Sequence, residues 1–177
     1  MKQIKISDVT MKQSCEGFAL SFKEKIELSK LLDKLGVSVI ELEGIESSRI
    51  DGLRIKSIAV AVANSIIAVP VHLTEESVSE TWSALQQAKH PRLQGCAAVS
   101  SVQMEYLYHK KPKTVNACRK VCEDVEFIAD DATRSDPAFL CRALETAISA
   151  GAQTVTLCDT AGKMLPNELY MRLLLSF

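Results

Sequence analysis

The stretch VEFIADDATRSDPAFLCRALETAISAGAQTVTLCDTAG, residues 125–162, decides the fold. An apolar run over 125–129 ends in acids and hydroxyls, an amphipathic segment covers 136–150, and a second apolar run over 154–158 ends in Asp159-Thr160-Ala161-Gly162. This pattern predicts a strand, a helix and a second strand. Polar side chains therefore gather at the C-terminal ends of both strands, the edge at which α/β sheets bind ligands.

The rest of the chain repeats this alternation. Apolar, β-branched runs predict strands, and amphipathic runs predict helices, one of which stops at Gly36. Strands that are each followed by a helix favour parallel pairing in an α/β fold, either a doubly wound sheet or a barrel. The predicted strands cover 5–10, 37–42, 65–71, 93–99, 125–129 and 154–158, and the predicted helices cover 21–35, 49–63, 74–87, 113–122, 136–150 and 167–177.

Length and composition predict a single domain over residues 1–177. Apolar residues make up 47% of the chain and charged residues 24%, with a formal net charge of -1, as in ordinary globular proteins. This balance provides no basic stripe for nucleic acid, and no apolar run is long enough to cross a membrane. The 6 cysteines occur without secretory features, which predicts reduced thiols and a cytoplasmic protein.

Four segments carry a resemblance to a known family. They read LDKLGVSVIELEG (32–44), AKHPRLQGCAAVSSVQMEY (88–106), VEFIADDATRSDP (125–137) and AISAGAQTVTLCDTAGKMLP (147–166). In this order they resemble the 2-isopropylmalate synthase and homocitrate synthase family, which is grouped with hydroxymethylglutaryl-CoA lyase. The resemblance covers nearly the whole chain. It implies an incomplete TIM-type (β/α) barrel, of which this chain supplies about six parallel βα units.

The resemblance also implies a chemistry. Members of this family condense acetyl-CoA with a 2-oxo acid, and a divalent metal such as Mg²⁺, Mn²⁺ or Zn²⁺ polarises the ketone of the oxo acid. A nearby arginine stabilises the negative charge that develops. The metal ligands of the family are an aspartate just after the first strand and two histidines of an H-x-H motif on the seventh strand.

The opening motif departs from the family pattern, which reads roughly D-T-T-L-R-D-G-E-Q. In this chain Lys12 stands at the position of the catalytic arginine, and Gln13 stands at the position of the metal-binding aspartate. Lysine keeps the charge without the bidentate fork, and a glutamine amide is a poor ligand for a hard cation. The H-x-H motif has no counterpart in the sequence. The resemblance therefore implies a degenerate metal position at Gln13 and weak or absent metal binding.

Other positions match the family better. The resemblance assigns a catalytic role to Glu41 on the second strand and to Asp130 after the fifth, where the family usually has glutamate, beside Lys12. It assigns substrate contacts to Asp131 and to Thr160, which in relatives contacts the carboxylate of the oxo acid. A further expected substrate contact is Gln103, in the loop after the fourth strand.

Structural alternatives exist for several of these positions. Glu41 is equally consistent with a strand-end carboxylate paired with a neighbouring lysine or arginine. Thr133 or Ser135 is expected to cap the helix that follows, and Asp159 could bond loop amides rather than ligand.

Two cysteines add a further alternative. Cys118 and Cys122 share one face of the predicted helix. They are either a metal pair or buried thiols, and the buried thiols are favoured because no second pair at zinc spacing accompanies them.

Three functional hypotheses follow. The first is a synthase-like protein that needs a complementing chain, or a second copy of itself, to cover the edges of its first and sixth strands. The second is a non-catalytic binding or regulatory relative on the same scaffold, favoured by Lys12 and Gln13. The third is a metal-independent aldolase or lyase in which Lys12 forms a Schiff base.

Overall fold

The computed structural model describes residues 4–13, 19–46, 49–72, 74–100 and 111–169. The chain divides into two compact units, Met1–Leu93 and Gln94–Phe177. Each unit is built from strands that alternate with helices. The expectation of one domain over 1–177 stays a prediction.

The first unit contains three strands that pair in parallel. Ser7 on the first strand lies opposite Val39 on the second, and Glu41 on the second lies opposite Ala68 on the third. Buried aliphatic side chains fill these strands because both faces of a parallel sheet are covered. The elements are β1 (Ser7–Asp8), α1 (Phe22–Leu35), β2 (Val39–Glu41), α2 (Arg49–Ala61), β3 (Ile66–Val71), α3 (Glu75–Leu85) and β4 (Pro91–Ala98), which continues into the second unit.

Local sequence signals set the ends of α1. The side chains of Ser21 and Glu24 each accept a hydrogen bond from the backbone N–H of the other, forming a capping box. At the other end Gly36 adopts φ 87°, the left-handed conformation that costs glycine least. The predicted stop of this helix at Gly36 is confirmed.

A single carboxylate explains why α2 ends earlier than predicted. Asp33 accepts hydrogen bonds from the backbone N–H groups of Ala63, Asn64 and Ser65 at 3.1, 2.9 and 2.7 Å. Those amides are thereby withdrawn from a helix that the sequence pattern extends to residue 63, and α2 stops at Ala61. Asp33 thus anchors the amino-terminal edge of β3.

The second unit contains the region that decides the fold. Its strands pair in parallel, with Glu126 opposite Thr154 and Ala129 opposite Leu157. The predicted strands and helix of this region lie within one residue of the observed bounds. The elements after β4 are α4 (Lys111–Val121), β5 (Val125–Asp130), a short 3₁₀ turn (Ala132–Arg134), α5 (Pro137–Ser149) and β6 (Thr154–Leu157), and residues 166–169 begin a further helix.

A buried polar layer crosses the three strands of this unit. Glu126 accepts hydrogen bonds from the Gln94 amide at 3.0 Å and from the Thr156 hydroxyl at 2.6 Å. Glu126 is 5% exposed and Gln94 is fully buried. Because buried charges require such partners, the layer fixes how β4, β5 and β6 align.

The order of the strands is the order of the chain, β1-β2-β3-β4-β5-β6. Helices separate consecutive strands throughout. This arrangement confirms the predicted fold class, an α/β fold of the incomplete TIM-type barrel with six parallel strands. Within the described residues, no helix combines the length and apolar character needed to cross a membrane.

Candidate functional site

The chain turns sharply within the opening motif, directly after β1. Asp8 accepts hydrogen bonds from the backbone N–H of Thr10 at 3.1 Å and from its hydroxyl at 3.2 Å. The amides of Lys12 and Gln13 donate to the Val9 carbonyl at 3.0 and 3.1 Å. These bonds end β1 at Asp8, two residues before the predicted end, and bring Lys12 back toward β2.

An ion pair forms where β1 and β2 end. The Lys12 ammonium lies 2.7 Å from Glu41 Oε2, with side chains 28% and 12% exposed. The Ser7 hydroxyl donates to the other oxygen of the same carboxylate at 2.7 Å. We call Ser7, Lys12 and Glu41 the first strand-end cluster. The structure thus brings two predicted catalytic residues together, in the pairing that the structural alternative for Glu41 predicts.

The first cluster is a poor match for a divalent metal. Gln13, at the position of the family's metal-binding aspartate, is exposed. The one carboxylate of the cluster already faces the Lys12 ammonium, a cation that would repel a metal ion. Among the residues that the structure describes, no group of three or more His, Cys, Asp or Glu side chains is arranged to hold a metal ion. The described residues therefore do not fit the metal that the family implies.

The Lys12 ion pair also bears on the Schiff-base hypothesis. A Schiff-base lysine must react as a neutral amine, usually in a desolvated setting or beside another cation. Lys12 is paired with a carboxylate instead. The geometry offers no support for that hypothesis, which stays a prediction.

A second cluster forms where β5 and β6 end. The backbone N–H of Asp131 donates to the Thr160 hydroxyl oxygen at 2.9 Å, and the Thr133 hydroxyl donates to Asp159 at 2.7 Å. The other oxygen of Asp159 accepts from the Met164 amide at 2.9 Å. The alternative that Asp159 bonds loop groups therefore describes its contacts. We call Asp131, Thr133, Arg134, Asp159 and Thr160 the second strand-end cluster.

Both acids of the second cluster are held in their charged form. Hydrogen bonds from Arg134 hold the pKa of Asp131 below its usual value, and the same pairing raises the pKa of Arg134. The Met164 amide and the Thr133 hydroxyl lower the pKa of Asp159. These acids are hydrogen-bond acceptors in the loop rather than proton donors.

Neighbouring hydroxyls support the same loop. Ser135 donates to the Val99 carbonyl at 2.9 Å. The Ser100 hydroxyl lies near enough to lower the pKa of Asp131, although its oxygen has no hydrogen-bond partner of good geometry among the described residues. The backbone carbonyl of Asp130, the last residue of β5, accepts from the Val99 amide at 3.0 Å.

The expectation that Thr133 or Ser135 caps the helix after β5 is wrong. The N-cap of α5 is Asp136, whose carboxylate accepts from the Phe139 amide at 2.9 Å, with Pro137 at the first helical position. Thr133 and Ser135 are unavailable because their hydroxyls bond Asp159 and Val99.

Two other predictions have different outcomes. Gln103 lies outside the described residues.

Cys118 and Cys122 are both buried, and burial raises the pKa of Cys118 to about 12. The Cys122 thiol donates a hydrogen bond to the Asp124 carbonyl at 3.2 Å. These properties match buried thiols rather than the thiolates that a metal requires.

Sequence reasoning missed Arg134 as a member of the site. Its guanidinium binds Asp131 through Nε at 2.7 Å and Nη2 at 2.6 Å. The spacing of three residues was a usable signal, because side chains at that spacing lie on one side of a helical turn.

Comparison with known proteins finds one matching family model and several similar proteins. A family model described as HMGL-like matches residues 3–175. A 2-isopropylmalate synthase of Pyrococcus abyssi is 35% identical over 180 residues, covering 96% of this chain and 37% of that protein. The corresponding enzyme of Caulobacter sp. is 36% identical over 173 residues, covering 92% of this chain and 33% of that protein. The chain spans about one third of the length of these relatives.

A solved structure supports the fold alone. The crystal structure of a putative deoxyribose-phosphate aldolase from Coccidioides immitis superposes with a TM-score of 0.62 and 14% sequence identity. The match covers 97% of this chain and 66% of that one.

Proposed function

Because the chain belongs to the HMGL-like family, we propose that it forms the substrate-holding part of a 2-isopropylmalate or homocitrate synthase-like acyltransferase. Such an enzyme condenses acetyl-CoA with a 2-oxo acid. The observation that carries the proposal is the Thr160 hydroxyl, which is exposed at the end of β6 while its oxygen accepts a hydrogen bond from Asp131. A fixed hydroxyl with an available proton suits one carboxylate oxygen of a 2-oxo acid.

Lys12 and Glu41 have a separate role in this proposal. The Lys12 ammonium supplies positive charge for an enolate or carboxylate oxygen, and Glu41 fixes its position through the 2.7 Å ion pair. Asp130, at the end of β5, is proposed to contribute a carboxylate to the same reaction. None of these roles requires a metal held by the described residues.

Condensation on this scaffold needs groups that the described residues do not supply. We propose that a complementing chain, or a second copy of this one, covers the strand edges and that a segment carrying H-x-H completes the site. In that arrangement the protein acts in the cytoplasm on acetyl-CoA and a small 2-oxo acid, with Mg²⁺, Mn²⁺ or Zn²⁺ bound by the completed site.

Release of free coenzyme A tests this proposal. Acetyl-CoA is supplied with 2-oxoisovalerate, 2-oxoglutarate or pyruvate, with and without Mn²⁺, and with and without a chain that carries H-x-H. We expect release only when the complementing chain and Mn²⁺ are both present. The absence of release in every combination would remove the acyl-transfer proposal.

The second candidate is a non-catalytic binding or regulatory relative. The exposed Gln13 and the Lys12–Glu41 ion pair favour it, because they stand where the family pattern requires a metal ligand and a bidentate guanidinium. It predicts 2-oxo acid binding without coenzyme A release under any condition. Restoring the family residues with Lys12→Arg and Gln13→Asp in the complemented assay distinguishes the candidates, because only a catalytic scaffold would gain activity.

A further inference from the structure

Asp131 combines burial with an uncommon backbone conformation. Its φ and ψ are 57° and 34°, the left-handed region that residues other than glycine seldom occupy, and its side chain is fully buried. Within the described residues it is the one non-glycine residue with positive φ. Aspartate adopts this conformation more readily than most residues, but it still costs free energy that neighbouring groups must offset.

The Arg134 guanidinium restrains the side chain of Asp131. Two parallel hydrogen bonds, 2.7 and 2.6 Å long, use both carboxylate oxygens of Asp131. This bidentate geometry restrains rotation of the carboxylate about its own axis. Asp131 therefore has little capacity left for a ligand, in contrast to the substrate contact expected from the sequence.

The main chain at Asp131 reaches the end of β6. The Asp131 amide donates to the Thr160 hydroxyl oxygen at 2.9 Å, and the next amide, of Ala132, donates to the Cys158 carbonyl at 3.0 Å. A threonine hydroxyl has one proton to donate, and this acceptor bond directs that proton away from Asp131. Among the described residues, no hydrogen bond takes the Thr160 proton.

We infer that Asp131 and Arg134 form a positioning pair that orients the Thr160 hydroxyl as a hydrogen-bond donor to an anionic oxygen of the ligand. The pair touches no ligand itself. It acts through the left-handed turn, which aims the Asp131 amide at Thr160 and so selects one side-chain rotamer. The ligand part of this inference rests on the proposed function, whereas the rotamer part stands without it.

The ligand-free test is the side-chain rotamer of Thr160, measured by NMR couplings between its backbone and its methyl carbon. We expect one dominant rotamer in the wild type and averaging in Arg134→Gln and Asp131→Asn. Asparagine tolerates the left-handed region, so that the second variant loses the charged pair without a new backbone penalty. Lys30→Gln is the matched control, because it breaks an exposed i,i+3 ion pair with Glu27 and should leave Thr160 unchanged.

The binding test is a double-mutant cycle with 2-oxoisovalerate, followed by calorimetry. Asp131→Asn should weaken binding about fivefold, the cost of one hydrogen bond, and should add nothing further in a Thr160→Val background. Arg134→Lys, which keeps the charge without the fork, should fall between wild type and Arg134→Gln. Effects of Asp131→Asn and Thr160→Val that simply add would show that the pair does not act through Thr160.

Failure of the proposed ligand and failure of the positioning pair would give different results. A wild type that binds no 2-oxoisovalerate, with Thr160 in one rotamer that the variants release, would overturn the proposed ligand and keep the positioning pair. A Thr160 rotamer that is unchanged in folded Arg134→Gln and Asp131→Asn would overturn the positioning pair.

Discussion

The two strand-end clusters are held together in different ways. In the first, one partly exposed ion pair and one serine hydroxyl connect β1 to β2. In the second, the Asp131 amide and the Thr133 hydroxyl donate to Thr160 and Asp159 across the ends of β5 and β6, and the Arg134 guanidinium and the Met164 amide hold the two carboxylates. The first carries Lys12 and Gln13 in place of the arginine and aspartate that the resemblance implies, whereas the second lies in two of the segments that carry the resemblance.

The difference indicates which site residues also serve the fold. Asp131, Thr133 and Asp159 each take part in hydrogen bonds within the loops that follow β5 and β6. Lys12 is half-buried, and Gln13 is exposed. Asp33, which accepts hydrogen bonds from three backbone amides, lies at the opposite, amino-terminal edge of the strands.

The largest expected effect concerns the buried polar layer that crosses β4, β5 and β6. Glu126→Ala removes the buried carboxylate that accepts from the Gln94 amide and the Thr156 hydroxyl, which should lower the free energy of unfolding by about 3 kcal/mol. Chemical denaturation measures this, with the exposed Glu145→Ala on α5 as a control expected to change it by less than about 0.5 kcal/mol. Equal effects of the two changes would mean that the buried layer contributes nothing specific.

The next effect concerns the anchor of the first unit. Burial acts to raise the pKa of Asp33, but hydrogen bonds from the Ala63, Ser65 and Asn64 amides lower it from 3.8 to about 2. A lowered folded-state pKa stabilises the protein above pH about 4, and this contribution is lost as pH falls from about 4 to 2. Asp33→Asn should therefore cost about 2 kcal/mol at neutral pH and flatten the acid limb of the stability curve.

Stability measured from pH 5 to pH 2 checks this second prediction. Asp51→Asn serves as a control for the loss of a carboxylate from an ion pair in the same unit. An acid limb that is as steep in Asp33→Asn as in the wild type would show that Asp33 is not the anchor.

The smallest expected effect is at the first cluster. Lys12→Met should change the free energy of unfolding by less than about 1 kcal/mol, because partly exposed ion pairs contribute little. Lys12→Arg should be indistinguishable from the wild type in the same denaturation experiment. A loss above about 2 kcal/mol for Lys12→Met would make the first cluster as important for the fold as the second and remove the contrast.

The sequence predicts the second unit better than the first for a physical reason. Apolar runs bounded by Asp, Ser, Pro and Gly mark β5, α5 and β6 to within one residue. β1 is only Ser7–Asp8, against a predicted 5–10, and it ends two residues early because the Asp8 side chain bonds Thr10 and turns the chain. A side chain that hydrogen-bonds the nearby backbone can end a strand without changing the pattern of apolar and polar residues from which the strand is predicted.

The interactions that define the candidate site were harder to predict. Family comparison identified Thr160 and Asp131 from the motif, but their mutual hydrogen bond joins residues 29 positions apart and depends on the tertiary fold. The pairing of Glu126 with Gln94 across 32 positions is invisible for the same reason. The segment offers three capping residues within four positions, Thr133, Ser135 and Asp136, and the sequence does not show that Asp136 is the one that caps α5.

We propose that the second strand-end cluster binds a 2-oxo acid without help from a metal. A calorimetric titration of the chain with 2-oxoisovalerate in the presence of EDTA, for the wild type and for Thr160→Val, tests this most directly. We expect saturable binding by the wild type and clearly weaker binding by the variant. Binding that appears only when Mn²⁺ replaces EDTA, or that Thr160→Val leaves unchanged, would contradict it.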